Sequence, residues 1–200
     1  MRDKMSRATT TRHHVLRVAA AEMRSRGPTS VGVVDVMKRA GLTHGGFYGH
    51  FSSKDALVAA ALEQMFAQGA AKFRRITAGK PPEVALGDYI DLYLSEVHRD
   101  RPEIGCPIAA LSPELARQGL EVRRVFEHGL TLLLDLLEPL LPAENRRVLA
   151  YSMIAEMAGA LALSRAVQDR TTSLGILAAA RATVRARADL PEQAKLDPVR

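Results

Sequence analysis

The sequence has a single cysteine, no tryptophan, and aromatic residues at only 4% of its 200 positions. One cysteine excludes an internal disulfide and a four-cysteine zinc site, and it is compatible with a reducing cytoplasm. Alternating β-branched runs are also absent, so no strand is predicted. The N-terminal segment is polar and basic, unlike a secretory signal. These absences favour an all-helical, cytoplasmic protein.

Long hydrophobic runs are missing as well. The most apolar stretch, Leu130 to Leu141, is interrupted by Asp135 and Glu138 and is too short to span a bilayer. Hydrophobic residues nevertheless make up 47% of the chain, enough to bury a sizeable core. We therefore expect a soluble protein without a membrane partner.

Positive charge is concentrated in the first quarter of the chain. Residues 1–54 carry ten Lys/Arg and three Asp/Glu, a net of +7, whereas residues 55–200 carry eighteen and nineteen, a net of −1. A basic segment joined to a nearly neutral remainder is expected of a DNA-binding head on a regulatory body. A solubilising tail would not account for the basic residues further along this quarter, which are Arg24, Arg26, Lys38, Arg39 and Lys54.

The stretch AGLTHGGFYGHFSSKDAL, residues 40–57, is the most informative part of the sequence. A short helix is predicted before it, Gly41-Leu42 marks a tight turn, and a second short helix follows. This is a helix-turn-helix, whose second helix can enter the major groove of DNA. Phe47 and Phe51 are four residues apart and are expected to face the core. The polar residues that remain for solvent or a ligand are Thr43, His44, Tyr48 and His50.

Helical periodicity continues through the rest of the chain. Residues 1 to about 9 are predicted to be a disordered basic arm, and Thr10 or Thr11 to cap the first helix, which ends at Gly27-Pro28. Asp189 to Arg200 is predicted to be a loose tail. The helices expected after the helix-turn-helix span about 53–77, 83–98, 107–118, 120–141, 143–167 and 171–187, with Ser52 or Ser53 capping the first of them.

The head resembles the DNA-binding domain of the TetR family of bacterial transcriptional regulators. The matching residues are Val15-Leu16, Ala19, Gly27, Val36, Ala40-Gly41-Leu42, Phe47-Tyr48, His50-Phe51, Ser53-Lys54 and Leu57. The remainder is similar to the family only in length and helical character. The resemblance implies an all-α fold of about nine helices. Residues 1–54 would form the helix-turn-helix domain with its basic arm, and residues 55–200 the regulatory and dimerisation domain.

The same resemblance implies which residues contact DNA. Lys54, Tyr48 and His50 are expected to contact phosphates, and Thr43 a phosphate or a base edge. The set predicted to bind DNA comprises Thr43, His44, Gly45, Gly46, Tyr48, His50 and Lys54. Gly45, Gly46 and Gly49 depart from the sequence of many relatives. Each glycine costs a helix interior about 0.8–1 kcal/mol relative to alanine and removes a side chain that could read a base. Close backbone approach and DNA shape are then expected to contribute to specificity.

For the body, the resemblance implies a homodimer that binds a palindromic operator and releases it when a small-molecule effector binds. Small residues at 157–162 and 177–180 would allow close helix approach between chains, or ordinary packing within one chain. The expectation of a repressor rests only on what is usual in the family, since activators use the same DNA-binding head. The residues predicted to line the pocket are Tyr89, Tyr93, His98, Cys106, Phe126, Leu130, Met153 and Met157. Taken individually, each fits an ordinary core position better than a ligand contact.

Three alternatives remain at this level. Cys106, in Gly-Cys-Pro at a predicted helix N-terminus, could sense oxidants or electrophiles, or could be a small buried hydrophobe. An enzyme fused to a DNA-binding head is disfavoured because no nucleotide-binding loop, metal-spaced His/Cys set or nucleophile elbow is present. A DNA-coating protein would be basic throughout. No catalytic activity, metal or other cofactor is therefore predicted.

Overall fold

The computed structural model describes the backbone of residues 2–190 and the side chains of residues 9–190. This part of the chain is all-helical and contains no strand, which confirms the predicted fold class. The 3₁₀ helices are His44–Gly49, Pro102–Ile104 and Glu138–Leu140. The α-helices are α1 (Arg2–Arg26), α2 (Val33–Arg39), α3 (Lys54–Thr77), α4 (Pro82–Tyr93), α5 (Glu96–Asp100), α6 (Pro107–Leu115), α7 (Leu120–Leu137), α8 (Arg146–Ala166) and α9 (Arg170–Arg187).

The start of α1 differs from the prediction. The helix begins at Arg2, so the disordered arm and the cap at Thr10 or Thr11 are wrong. The first nine residues contain no glycine or proline, and Arg, Lys, Met and Ala all have high helix propensity, so nothing in this segment stops the helix. The end of α1 is as predicted, because Gly27 adopts a left-handed φ of 79° and donates its N–H to Met23 O at 2.8 Å. The predicted tail lies mostly outside the described residues.

Four other helices are shorter than predicted. The helices expected over about 107–118 and 143–167 span Pro107–Leu115 and Arg146–Ala166. The helix expected over 83–98 is interrupted after Tyr93, where Leu94 ends α4 and Ser95 accepts the N–H of His98 at 3.1 Å to begin α5. The helix expected over 120–141 ends as an α-helix at Leu137, and Pro139 lies in the short 3₁₀ helix that follows. Proline cannot continue the α-helical hydrogen bonds, which accounts for this last change.

The chain divides into two compact units. One combines Met1–Ala71 with Arg101–Leu133, and the other combines Lys72–Asp100 with Leu134–Arg200. The predicted functional boundary near residue 54 is a separate division and stays a prediction. In the first unit, α1 packs against α2, α6 and the 102–104 segment. Its core includes the predicted stripe of α1, which is buried at Val15, Leu16, Ala19, Ala20 and Met23.

The second unit is organised around the packing of α8 on α9. Arginines link these helices to α4 and α5 by contacts to backbone and carboxylate oxygens. Arg165 donates to His98 O at 2.7 Å, Arg181 donates to Leu94 O at 2.6 Å, and Arg185 pairs with Asp91 at 2.9 Å. Burial raises the pKa of Asp91, and the nearby Arg185 and Arg181 partly offset this. These contacts connect α8 and α9 to α4 and α5.

Among the described residues, one helix, α8, is long and apolar enough to cross a membrane by length and composition alone. Its buried residues pack within the second unit and include Ala150, Met153, Met157 and Leu161. A buried core helix passes the same test of length and composition.

Candidate nucleic-acid interface

The helix-turn-helix is formed by α2, the turn at Gly41 and the 3₁₀ helix His44–Gly49, which we call the recognition helix. Gly41 has a left-handed φ of 71°, and its N–H donates to Lys38 O at 3.0 Å. The next N–H, from Leu42, donates to Met37 O at 2.9 Å. These two bonds satisfy the last carbonyls of α2 and fix the direction in which the chain leaves it. The glycine is needed here for its backbone conformation.

The recognition helix is anchored by the two phenylalanines that the sequence assigns to the core. Phe47 and Phe51 are 1% and 4% exposed, and their rings stack with centroids 5.6 Å apart. The guanidinium of Arg12 on α1 lies 5.1 Å from the centroid of Phe51 and adds a cation–π contact. The predicted core role of this aromatic pair is confirmed.

The opposite surface of the recognition helix is open to solvent. Tyr48 is 69% exposed, and Thr43 and His44 are also exposed, whereas His50 is half-buried. The ring of Tyr48 meets that of Phe47 edge-on at 5.2 Å and that of His44 edge-on at 6.2 Å. The polar side chains predicted to bind DNA therefore lie on one short segment that is largely exposed. The buried ring of Phe47 packs against the inner side of the Tyr48 ring.

The glycines of the recognition helix are also exposed, and packing within the protein does not require them. A Cβ at Gly45 or Gly49 would have no atom within 4 Å, and one at Gly46 would be 3.8 Å from Met37 Cε, an ordinary contact. None of the three has the left-handed φ that would demand glycine. Packing and backbone conformation within the described part of the protein therefore do not explain these glycines.

Lys54 begins α3 beside the recognition helix. Ser53 caps this helix, as predicted, by accepting the N–H of Ala56 at 3.0 Å. The Lys54 ammonium is exposed and donates to Thr29 O at 3.3 Å. Thr29 in turn donates its hydroxyl and its N–H to Glu114 Oε2, at 3.0 and 3.4 Å. Sequence reasoning missed Thr29 and Glu114, since 85 positions separate them and no local pattern connects them.

The residues predicted to line an effector pocket fall in both compact units. In the second unit, the ring centroid of Tyr93 lies 5.9 Å from that of Tyr89 and 4.9 Å from that of His98, to which the Tyr93 ring is edge-on. Met153 and Met157 are fully buried in the same unit. His98 Nδ1 lies 2.7 Å from Tyr93 O. The first unit contains Cys106, Phe126 and Leu130.

Two cavities lie within the first unit. One, of about 490 Å³, lies between α6 and α7 and includes the predicted residues Phe126 and Leu130. The other, of about 390 Å³, lies between α3 and α7 and includes Phe66 and His128. Arg124 lines both cavities. Sequence patterns could not locate these spaces, because each depends on how two distant helices pack.

Cys106 is half-exposed and occupies the N-cap position of α6, directly before Pro107. It lies near Arg24 of α1, which is 8% exposed and donates to Glu103 O at 3.3 Å and to Gln68 Oε1 at 3.2 Å. Burial lowers the pKa of Arg24 to about 10, and the electrostatic interaction with Cys106 partly opposes this shift. Arg24 therefore remains a cation at neutral pH beside the thiol.

Residues 15–72 match the family model described as bacterial regulatory proteins of the tetR family. The match contains the complete helix-turn-helix, the phenylalanine pair and Lys54. Residues 15–72 therefore form a DNA-binding domain of the TetR family. The chain is a DNA-binding transcriptional regulator, and the DNA-binding residues named here remain predictions.

Solved structures share the fold of this chain along most of its length. The reduced form of NemR from E. coli is 22% identical over 91% of this chain and 99% of its own, with a TM-score of 0.77. A TetR regulator from Chloroflexus aurantiacus is 24% identical over 90% and 95%, also with a TM-score of 0.77. FadR from Bacillus subtilis, in complex with stearoyl-CoA, is 15% identical over 88% and 97%, with a TM-score of 0.67. A search of curated proteins finds no match.

Proposed function

We propose that this TetR-family regulator is a homodimeric, cytoplasmic repressor that binds a palindromic operator and is released from it by a small-molecule effector. The observation that carries the proposal is the recognition helix, which is held by buried Phe47 and Phe51 while its polar groups and bare glycines face outward. A rigid support with an exposed polar edge is suited to insertion into a major groove.

In this proposal some contacts position the protein on the DNA backbone, and others read the base sequence. Lys54 and Tyr48 bind phosphates, since both are exposed and lie on consecutive helices of the head. The N-terminal N–H groups of α3 strengthen the same anion site. Thr43 and His44 contact base edges or phosphates at the start of the recognition helix. His50 is half-buried, so its contact is with the backbone at the rim of the groove.

The surface of α8 and α9 supports a homodimer. On α8, Val148 and Leu163 are 66% and 60% exposed, with exposed Gly159 between them. The small residues at 157–162 and 177–180 fall into two groups. Some members pack within the chain, as buried Ala158, Ala160 and Ala180 do, and others face outward. The outward members are available to a second copy of the chain, and they are Gly159, Ala162, Ala178 and Ala179.

The cavity between α6 and α7 supports an effector of small-molecule size. Its volume of about 490 Å³ is within the range of ligand sites, and most of its lining is apolar, including Leu115, Leu120, Phe126 and Leu130. Arg123 and Arg124 form no ion pair with any described residue. The bound stearoyl-CoA of FadR supports the capacity of this fold to hold a ligand.

A second candidate function makes Cys106 the sensor. It is favoured by the half-exposed position of this thiol at the start of α6 and by the cationic Arg24 nearby. Alkylation of Cys106 that leaves operator affinity unchanged would exclude it. The third alternative, an enzyme carrying a DNA-binding head, would require turnover of a compound that binds the body.

The experiment that tests the proposed function is a titration of DNA flanking the gene with purified protein, at two salt concentrations and with non-specific competitor. We expect one tight, salt-dependent site with two protein chains per duplex. A matched duplex of shuffled sequence is the control. Equal affinity for the two duplexes would contradict a sequence-specific regulator.

A further inference from the structure

The turn after α1 is held from two sides. Thr29 donates its hydroxyl and its N–H to Glu114 of α6, at 3.0 and 3.4 Å. Its carbonyl accepts the Lys54 ammonium of α3 at 3.3 Å. A single residue of the turn therefore connects a carboxylate on α6 to the lysine that we propose binds a phosphate.

Gly27 shows how closely Glu114 approaches this turn. A Cβ placed at Gly27 would lie 2.0 Å from Glu114 Oε1, far inside a van der Waals contact. The left-handed φ of 79° already favours glycine here, and the carboxylate removes the remaining space. The end of α1 and the side chain of Glu114 are therefore in close contact, and a shift of α6 would displace the turn.

The same part of α6 also faces the larger cavity. Ser112 and Leu115 line the space between α6 and α7, and Ala116 at the end of the helix does so as well. Glu114 lies among these residues in the sequence but contacts Thr29 instead. The last turn of α6 thus has one side on a cavity suited to a ligand and another on the DNA-binding head.

We propose that Glu114 is a positioning residue that couples α6 to operator binding through Thr29 and Lys54. The inference rests on the proposed function, because the coupling acts on an operator-bound head. Movement of α6 shifts the carboxylate, the carboxylate shifts the Thr29 peptide, and the Thr29 carbonyl changes the position of the Lys54 ammonium. Coupling between sites is reciprocal, so operator binding must also act on α6.

Reciprocity gives a test that needs no effector. Hydrogen exchange is measured on the full chain, with and without a duplex containing its operator. In the wild type we expect operator binding to slow exchange in the recognition helix and also in α6, the latter by at least about fivefold, the lower end of usual coupling between sites. In Glu114→Ala the recognition helix stays protected and the effect at α6 is lost.

Two further variants separate coupling from a merely structural role. Glu114→Gln keeps an oxygen that accepts from Thr29 and is expected to restore the effect at α6. Glu121→Ala removes an exposed carboxylate from α7 and is expected to behave as the wild type. If Glu114→Ala does not fold, Thr29→Val removes the stronger of the two bonds, and Thr29→Ser keeps it.

The possible failures are distinguishable. Protection of the recognition helix without any effect at α6 in the wild type would overturn the coupling and leave the proposed function intact. An undiminished effect at α6 in Glu114→Ala, or in Thr29→Val where that variant replaces it, would also overturn the coupling. A wild-type recognition helix that gains no protection from the operator would remove both proposals.

Discussion

The recognition helix and the outer face of α8 and α9 are both exposed and both rich in small residues, yet they are suited to different partners. Gly45 and Gly49 on the first surface, and Gly159 and Gly175 on the second, have open space where a side chain would extend. Glycine exposure alone therefore does not distinguish the two surfaces.

Their neighbours do distinguish them. The glycines of the recognition helix lie among His44 and Tyr48, within a head whose first 54 residues carry a net charge of +7. Gly159 lies between exposed Tyr151 and Leu163 on α8. A polar, basic setting favours a phosphate backbone, and an apolar one favours another protein surface. A small residue therefore permits close approach, and its neighbours select the partner.

Gly45→Leu is expected to have the largest effect on this distinction. A leucine there has room in the free protein, so the melting temperature should be unchanged, but the side chain would occupy the space taken by DNA. Operator affinity is expected to fall to the non-specific level, a loss of at least about 10³-fold. Anisotropy titration with a labelled operator measures it. Retained tight binding would show that the backbone does not approach the groove at Gly45.

Leu163→Arg tests the other surface. Burying an unpaired charge between two copies should raise the dissociation constant of the dimer by about a hundredfold or more. Sedimentation equilibrium measures this change directly. Ile104→Arg is the matched control, because Ile104 is 53% exposed and belongs to the first unit, whereas α8 and α9 belong to the second. A Leu163→Arg protein that dimerises as the wild type does would place the dimer interface elsewhere.

Lys54→Gln is expected to act on DNA affinity more mildly. Loss of one phosphate contact should weaken operator binding roughly tenfold, and non-specific binding by a similar factor, because phosphates carry no sequence information. The slope of log affinity against log salt should decrease by about 1. Titrations at several salt concentrations measure both. An unchanged slope would mean that Lys54 stays with Thr29 and does not reach DNA.

The smallest expected effect concerns helix capping. Asp169 caps α9 by accepting the Thr172 N–H at 2.7 Å, whereas Thr43 makes no side-chain cap to the recognition helix. Hydrogen bonds from Thr172 hold the pKa of Asp169 below its ordinary value. Its stabilisation is therefore present above about pH 4, the ordinary range of an aspartate, and is lost as pH falls through the lower folded value.

Thermal melts at neutral and acidic pH test this capping. Asp169→Ala should lower the melting temperature at neutral pH, and its difference from the wild type should vanish at strongly acidic pH. Asp169→Asn keeps an accepting oxygen and should melt closer to the wild type at neutral pH. Thr43→Ala should leave the melting temperature unchanged. A drop for Thr43→Ala as large as that for Asp169→Ala would mean that the recognition helix is capped after all.

Much of the head follows from short-range patterns in the sequence. The spacing of Phe47 and Phe51 predicts their burial, Gly41 predicts the turn, and Ser53 predicts the cap of α3, because each effect acts within about one helical turn. The start of α1 was mispredicted because no local signal marks it. High-propensity residues simply extend the helix toward the N-terminus.

The parts that sequence did not reveal depend on long-range packing. The Glu114–Thr29 contact joins residues 85 positions apart. The cavity between α6 and α7 depends on how two helices meet, and of the eight residues predicted to line a pocket only Phe126 and Leu130 border it. Periodicity identifies the inward face of a helix but does not identify which facing helix leaves space beside it.

The central claim is that two copies of this chain read one palindrome through their recognition helices. Hydroxyl-radical footprinting of the operator, with wild type and Gly45→Leu in parallel, tests it most directly. We expect two protected half-sites about one helical turn apart, roughly 34–36 Å, related by two-fold symmetry and absent with Gly45→Leu. A single unrepeated protected site, or equal protection by Gly45→Leu, would contradict it.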